Sequence, residues 1–294
     1  MRNWHTMEKA MNSYGWPRWM NLRMKMMTIT MLSIATIEHV LSIIGHFITA
    51  SKLKSENQDI FEYFFVVIAF PEVFAIIKYS IWFGTLMQVI TFDSTFSWTY
   101  IDLFISLMGV GLALRFQQIA NRIELYAEEK VSNEILWKEI REDYVRLCIL
   151  CRKLNDNLSN LIVISFASNL FYVLVQLYHS LKYVESAVEK IYFFFSFGFL
   201  MGRTLCVCLY GAWIGEESQR PLLSLNSVSS NAYSVEIRRF ILHICFNPPS
   251  LSGKHFFFIT RGLVLSIAGT IMTYELVLIQ AFGVSRLEAN GTRT

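Results

Sequence analysis

Ionisable and amide side chains interrupt otherwise apolar stretches of this 294-residue sequence, and their spacing is that of helix faces. Glu38 and His39 break a run from Met26 to Ala50, with His46 two turns on. Asp102 follows Trp98 by four residues, which puts both on one helix face. Asn169, Tyr172 and Gln176 stand at i, i+3 and i+7, again one face, and Arg203 lies inside a fourth apolar run. Glu275 and Gln280 sit late in the last run. An ionisable residue inside a membrane span costs about 2.5–3.5 kcal/mol on insertion scales and faces a cavity or a partner. Converging carboxylates, amides and aromatic rings suit a polyhydroxylated ligand. Carboxylates accept from pairs of hydroxyls, amides both donate and accept, and a Trp or Tyr face covers the C–H face of a saturated ring. The competing reading is structural: Arg203 pairing with Asp102 or Glu38 to hold helices together, and Trp98 and Tyr172 as plain packing. His179 reads as a satisfied polar residue near the membrane interface.

Signals for catalysis are weak. Cys148 and Cys151 have the spacing of a redox or zinc half-site, but no second pair follows. Cys206 and Cys208 are two apart and point to different helix faces. All four read as small apolar fillers. No phosphate loop, zinc-protease motif or nucleophile elbow is present. The expectation is a non-enzyme that uses no cofactor and no metal.

Composition sets what must position these residues. The chain is 54% hydrophobic and 17% charged, with a mean hydropathy of +0.40. A soluble domain is about 45–50% apolar and about 25% charged. Disorder is excluded, because it needs low hydrophobicity. Five Cys are too few for a disulfide scaffold, and a net charge of +3 gives nucleic acid no reason to bind. The class is an all-α polytopic membrane protein, in contact with lipid.

A transmembrane helix needs about 20 mostly apolar residues. Five stretches qualify: Met26–Ala50, one ending near Ala120, Leu158–Leu181, Ile191–Ile214 and His255–Phe282. The stretch Phe61–Phe92 is broken by Pro71, Glu72 and Lys78, and reads either as a separate span or as part of one long helix projecting beyond the bilayer. Cytoplasmic loops carry an excess of Lys and Arg. Arg2, Lys9, Arg18, Arg23 and Lys25 cluster at the start, eight cations lie between Arg115 and Lys153, and five lie between Gly215 and Arg261. Elsewhere Lys52 and Lys54 are balanced by Glu56 and Asp59, and Lys182 and Lys190 by Glu185 and Glu189. The expected layout is a cytoplasmic segment over 1–25, two spans with an extracellular loop over 26–120, and helical extensions inside the cell over 121–157. Two spans follow over 158–214, then a cytoplasmic stretch over 215–254, a last span over 255–282 and an external tail over 283–294. The sequon Asn290-Gly291-Thr292 falls in that tail. Ser224–Ser234 reads as a flexible loop, and Val235–Cys245 as a short amphipathic helix ended by Asn247-Pro248-Pro249.

The last run contains Thr273-Tyr274-Glu275-Leu276-Val277-Leu278-Ile279-Gln280. This resembles the C-terminal signature of insect gustatory receptors, in the form carried by their sugar-taste branch. Glu38-His39-Val40-Leu41-Ser42, Phe96-Ser97-Trp98 with Asp102-Leu103-Phe104-Ile105, Arg115-Phe116 and Gly202-Arg203-Thr204 agree with it. The resemblance runs from about Met7 to Gln280. It implies the insect chemoreceptor fold of gustatory and odorant receptors, with seven helices, an internal N-terminus and an external C-terminus in the plasma membrane. It also implies a sugar-gated cation channel of taste neurons, a homo- or hetero-tetramer of gustatory receptor subunits. The ligand is a mono- or disaccharide held near Glu38, Trp98, Asp102, Asn169, Tyr172, Gln176 and Arg203. The last helix lines the pore, with Thr273, Leu276 and Gln280 at its gate, and the helix Val235–Cys245 joins a cytoplasmic anchor. The same resemblance favours one helix from Ile81 to Arg122. The five spans then match the third to seventh helices, and the chain is expected to be the C-terminal part of a larger receptor. Gln280 is followed by Ala281-Phe282 where the signature has Phe at once, which moves that ring 100° around the helix. A transporter of a polar solute is the alternative class; it calls for internal repeats and matching broken helices, and neither is present. A G-protein-coupled receptor calls for an external N-terminus, against the cation count.

Overall fold

The computed structural model describes residues 11–17, 19–55, 58–180, 187–229 and 233–291. Arg2, Lys9, Arg18, Glu56, Lys182, Glu185 and Thr292 of the sequon lie outside them. Helices dominate: α1 (Met20–Leu53), the short α2 (Ile60–Tyr63) and α3 (Pro71–Phe74), then α4 (Ile81–Glu128), α5 (Glu134–Ser180) and α6 (Ala187–Gln219). After α7 (Pro221–Asn226) and α8 (Val235–Phe246) come two short strands, β1 (Ser252–Gly253) and β2 (Phe257–Phe258), and then α9 (Arg261–Gly291). Among the described residues, four helices are long and apolar enough to cross a bilayer: α1, α4, α5 and α6 with its extension. The fifth expected crossing falls on the 31-residue α9, which runs on through the first residues of the expected tail.

The ambiguous stretch divides: its first part forms short separate turns, and from Ile81 it is the start of one long helix. At 1.5 Å per residue the 48 residues of α4 extend about 72 Å, more than twice a bilayer core of about 30 Å. Before it, α2, a π-helical turn over Phe64–Ala69 and α3 are each too short to cross. Pro71 opens α3 at its first turn, where the missing N–H has no partner to lose.

The chain divides into two compact units. The first comprises Met1–Met27, Asp102–Ser168 and Thr204–Thr270; the second comprises Thr28–Ile101, Asn169–Arg203 and Ile271–Thr294. In the first, the helical extensions expected over 121–157 form and pack on each other. Phe116 meets Tyr144 edge-on at 5.5 Å, Tyr126 meets Trp137 at 5.8 Å, and Tyr144 meets Phe240 of α8 at 5.1 Å. The buried stripe of α5 runs Trp137, Ile140, Tyr144, Leu147, Cys151 and Leu158 at alternating three- and four-residue steps or their sum. Ile135 is 67% exposed; it lies two residues before Trp137, on the opposite side of the first turn. The turn between α4 and α5 is closed by the Trp137 indole donating to the Val131 carbonyl at 2.9 Å and by Asn133 accepting from the Ile135 N–H.

The chain start is fixed to this unit by polar grips. Tyr14 donates to Asp143 at 3.1 Å, and the Gly15 carbonyl accepts from Arg115 and Gln118. The Arg122 guanidinium lies 3.9 Å from the Tyr14 ring centroid. Burial raises the Tyr14 phenol well above its ordinary range, with the Asp143 charge adding to the rise, so it remains a donor.

Two expectations need correction. Pro221–Asn226, at the start of the expected flexible loop, is helical because Pro221 again supplies a ready first turn. The last span does not begin at His255. Residues 252–258 form an antiparallel pair, with Ser252 opposite Phe258 and Gly253 opposite Phe257. The turn is made by Lys254 and His255, both in the left-handed region at φ 51° and 60°. Any side chain at Gly253 would strike the Phe257 ring. Asn155 holds β1 from α5: its amide oxygen accepts the Ser252 N–H at 2.6 Å, and its amide nitrogen donates to the Ser252 hydroxyl at 3.1 Å. The helix Val235–Phe246 forms as expected, with the Ser234 hydroxyl accepting from the Ile237 N–H and Ile237, Phe240 and Ile244 buried.

Gly109 of α4 sits where a Cβ would lie 2.6 Å from the Tyr210 carbonyl oxygen of α6, a backbone atom that has no rotamer with which to move aside. Gly109→Val should therefore destabilise by about 1–3 kcal/mol. Asn155→Ala should cost about 1–3 kcal/mol through the orphaned Ser252 N–H. Both are checked as lowered thermal midpoints of the detergent-solubilised chain. Glu236 is bridged by Arg141 at 2.7 Å and Arg239 at 2.8 Å. The hydrogen bond from Arg141 holds its carboxyl below the usual carboxylate range, against a smaller opposing effect of burial. A lowered carboxyl stabilises above its unfolded value of about 4.3, and that contribution is lost as pH falls through the lowered folded value. Glu236→Gln should flatten this part of the acid limb in a melting-versus-pH series.

Candidate functional site

The second unit holds a half-open cavity of about 440 Å³, within the usual span of about 300–1,000 Å³ for small-molecule sites. Helix α1 contributes Glu38. Helix α4 contributes Thr91, Ser94, Thr95 and Trp98, one face at i, i+3, i+4 and i+7, with Ile90 beside them. Tyr172 and Gln176 come from α5. Tyr192, Ser196, Phe199, Leu200 and Arg203 come from α6, again one continuous face. The hydroxyls of Thr91 and Thr95 donate to carbonyls four residues back on α4, so their oxygens remain able to accept.

Two polar groups of opposite character face this space. At one, the Ser196 hydroxyl donates to Glu38 Oε1 at 2.8 Å, Tyr192 reaches the same oxygen at 3.5 Å, and Gln176 Nε2 donates to Ser196 at 2.9 Å. At the other, Arg203 donates to Asn169 Oδ1 at 2.8 Å and to Thr99 Oγ1 at 3.2 Å, and its guanidinium lies 5.8 Å from the Phe199 ring centroid. Next to Glu38 in sequence, His39 turns to Gln88 at 3.4 Å and to the edge of Phe92, tying α1 to α4.

Five of the seven residues expected to bind ligand line the cavity: Glu38, Trp98, Tyr172, Gln176 and Arg203. Asn169 does not line it; it is 4% exposed and orients Arg203. Asp102 does not line it either; it belongs to the first unit, is 1% exposed, and accepts from the Ser165 hydroxyl at 2.5 Å. The residues that sequence reasoning passed over are Thr91, Ser94, Thr95, Tyr192 and Ser196. Their signal was available as hydroxyls at helical spacing within apolar runs, the same pattern that singled out Asn169, Tyr172 and Gln176. On α9, Thr273, Leu276 and Gln280 share one face at i, i+3 and i+7, and all three are exposed.

The cysteine motif gives no second site. Cys148 and Cys151 are buried free thiols, and burial pushes each up to about 12. Among the described residues, no three His, Cys, Asp or Glu side chains converge as metal ligands.

Long apolar helices, four of them lining a half-open cavity with polar groups in its wall, define a multi-pass membrane receptor fold. It is the fold of the insect chemoreceptors. The olfactory receptor OR5 from Machilis hrabei in complex with eugenol superposes with a TM-score of 0.67 at 15% identity, over 90% of this chain and 68% of that one. The same receptor in a second structure gives 0.62 at 17% identity, over 95% and 74%.

Within that class the sequence is more particular. The trehalose receptor family profile matches residues 1–289, and the chain belongs to this family of insect gustatory receptors. It is 36% identical to the Drosophila melanogaster gustatory receptor for sugar taste 64f over 95% of this chain and 60% of that receptor. It is 41% identical to sugar taste receptor 64a over 71% and 45%, and 31% identical to gustatory receptor 5a for trehalose over 95% and 63%, both also from Drosophila melanogaster. The chain thus spans roughly half to two thirds of the length of these relatives. The family is one of receptors and not of enzymes.

A thiol-specific reagent at neutral pH should label Cys245, which is exposed, and leave Cys148 and Cys151 unmodified until the chain is unfolded. Peptide mapping of the labelled protein reads this directly.

Proposed function

We propose that this chain forms the ligand-binding and pore-lining part of a sugar receptor of taste neurons, a sugar-gated non-selective cation channel in the plasma membrane. The observation that carries the reading is the cavity itself, where Glu38, Gln176, Ser196 and the hydroxyls of α4 offer donors and acceptors beside the rings of Trp98, Tyr172 and Tyr192. A polyol needs many weak, directional hydrogen bonds together with an apolar surface for its C–H face, and this lining supplies both. The sugar and trehalose specificity of the related receptors supports the same ligand class.

The N-terminus lies in the cytoplasm and the C-terminus outside, a reading that the distribution of Lys and Arg supports. Subunits assemble as homo- or hetero-tetramers with other gustatory receptor subunits. Each contributes α9 to a central pore, with Thr273, Leu276 and Gln280 at its constriction. Asn169 acts from behind the cavity wall by setting the direction of Arg203. Sugar opens the pore to the extent that it binds the open arrangement more tightly than the closed one.

Whole-cell currents from a full-length receptor carrying this sequence test the reading. Pulses of trehalose, sucrose or glucose should evoke a cation current. Gln176→Ala and Tyr172→Ala should each raise the half-maximal sugar concentration by about tenfold, equivalent to about 1.4 kcal/mol. Gln280→Ala should change conductance or ion selectivity while leaving that concentration in place. Unchanged dose-response curves for both cavity variants would place the sugar elsewhere.

A further inference from the structure

The hydrogen-bond chain at Glu38 determines the polarity of the cavity around it. A carboxylate has no proton to donate, so Ser196 directs its single hydroxyl proton to Glu38 Oε1, at 2.8 Å. Ser196 must then accept from Gln176. This sets the Gln176 amide nitrogen toward Ser196, at 2.9 Å, and fixes the otherwise ambiguous amide orientation. The consequence is that Gln176 Oε1 is left buried beside the cavity with no hydrogen-bond partner among the described residues. The recorded bonds to Glu38 from Ser196 and Tyr192 both end on Oε1, and no cation among the described residues pairs with this carboxylate. One corner of the cavity therefore presents a carboxylate, an acceptor, and the Gln176 amide oxygen buried behind the lining is a second acceptor, left unmatched at a cost of about 1–3 kcal/mol.

A neutral hydroxyl offers one donor to this corner. A protonated amine offers three, and with them a positive charge that makes each bond to a carboxylate roughly twice as strong. The rings of Trp98, Tyr172 and Tyr192 line the same cavity, and aromatic faces attract cations as well. Arg203, the cation of the cavity, stands seven residues beyond Ser196 on α6, about 10 Å along the helix, with its guanidinium bonded to Thr99 and Asn169. A ligand one sugar ring long can thus put an ammonium at Glu38 while its hydroxyls lie toward Arg203.

Resting on the cavity as the ligand site, we propose that this receptor recognises polyols bearing a protonated amine, aminosugars such as D-glucosamine, in preference to the parent neutral sugar, with the Glu38 carboxylate as the ammonium acceptor. The test is equilibrium binding of radiolabelled D-glucosamine, D-glucose and N-acetyl-D-glucosamine to the full-length receptor in lipid nanodiscs. D-glucosamine should bind at least fivefold more tightly than D-glucose when its amine is charged. The advantage should vanish for N-acetyl-D-glucosamine, and for D-glucosamine at a pH where the amine is neutral, with D-glucose as the control at both pH values. Glu38→Gln should abolish the difference, and Ser196→Ala should reduce it. Should Glu38→Gln fail to fold, the comparison of the three ligands on the unaltered receptor still decides.

D-glucose bound as tightly as D-glucosamine overturns the aminosugar preference and leaves the sugar site standing. An advantage that persists in a folded Glu38→Gln receptor overturns the assignment to Glu38. D-glucosamine bound without D-glucose upholds the ammonium site and overturns the neutral-sugar reading. Binding of neither ligand overturns both.

Discussion

Polar groups removed from water must find partners within the protein, and this requirement organises the second unit more than any apolar contact does. In an apolar surrounding, the Glu38 carboxylate is tolerable because Ser196 and Tyr192 donate to it. Arg203 is tolerable because Asn169 and Thr99 accept from it. Each of these bonds joins residues on different helices: Ser196 links α6 to α1, Gln176 links α5 to α6, and Arg203 links α6 to α4 and α5. The same bonds that satisfy the buried groups also hold the helices around the cavity. The wall and the recognition surface are thus one set of side chains, and a change in one is felt in the other.

The first unit is built on different physics. Its helices carry charges of both signs, and their packing rests on large rings: Phe116, Tyr144, Trp137 and Phe240. Ion pairs lie around these rings, Arg141 with Glu236 and Arg220 with Glu124 among them. The more exposed pair, Arg220 with Glu124, contributes little by itself, and the aromatic stripe decides how the helices meet. Gly109 adds a close approach of α4 to the α6 backbone, which no residue with a side chain permits. The hairpin of β1 and β2 leads into helix α9, and Arg261 at its first turn pairs with Glu216 at the end of α6. The point where the last helix begins is therefore tied both by Asn155 on the hairpin and by an ion pair.

Reading helices from this sequence was straightforward where the apolar period was long. The extent of α4 was open, because Pro71 and Lys78 marked an interruption without saying on which side of it a span would form. The hairpin at 252–258 was misread as helix, since Phe256, Phe257, Phe258 and Ile259 continue an apolar run and nothing in that run reveals its partner. Its cause lies 97 residues away, in Asn155. The buried face of α5 begins at Trp137, and Ile135 in the first turn lies on its other side, although both are apolar.

For the site, residue type and spacing on one helix are properties of the chain alone. They follow from 3.6 residues per turn, so Trp98, Tyr172, Gln176 and Arg203 could be singled out without coordinates. Membrane class and family are also settled by the sequence, because composition and a contiguous motif need no neighbours. Which faces meet is a tertiary matter. Asp102 looked equivalent to Glu38 as an intramembrane carboxylate, yet one lies against Ser165 in the first unit and the other lines the cavity. Tyr192 and Ser196 gained their importance only when α6 brought them to Glu38, 154 and 158 residues away in the chain. The direction of the Gln176 amide, and with it the acceptor character of one corner, follows from a hydrogen bond between two helices, and no single stretch of sequence contains both of its ends.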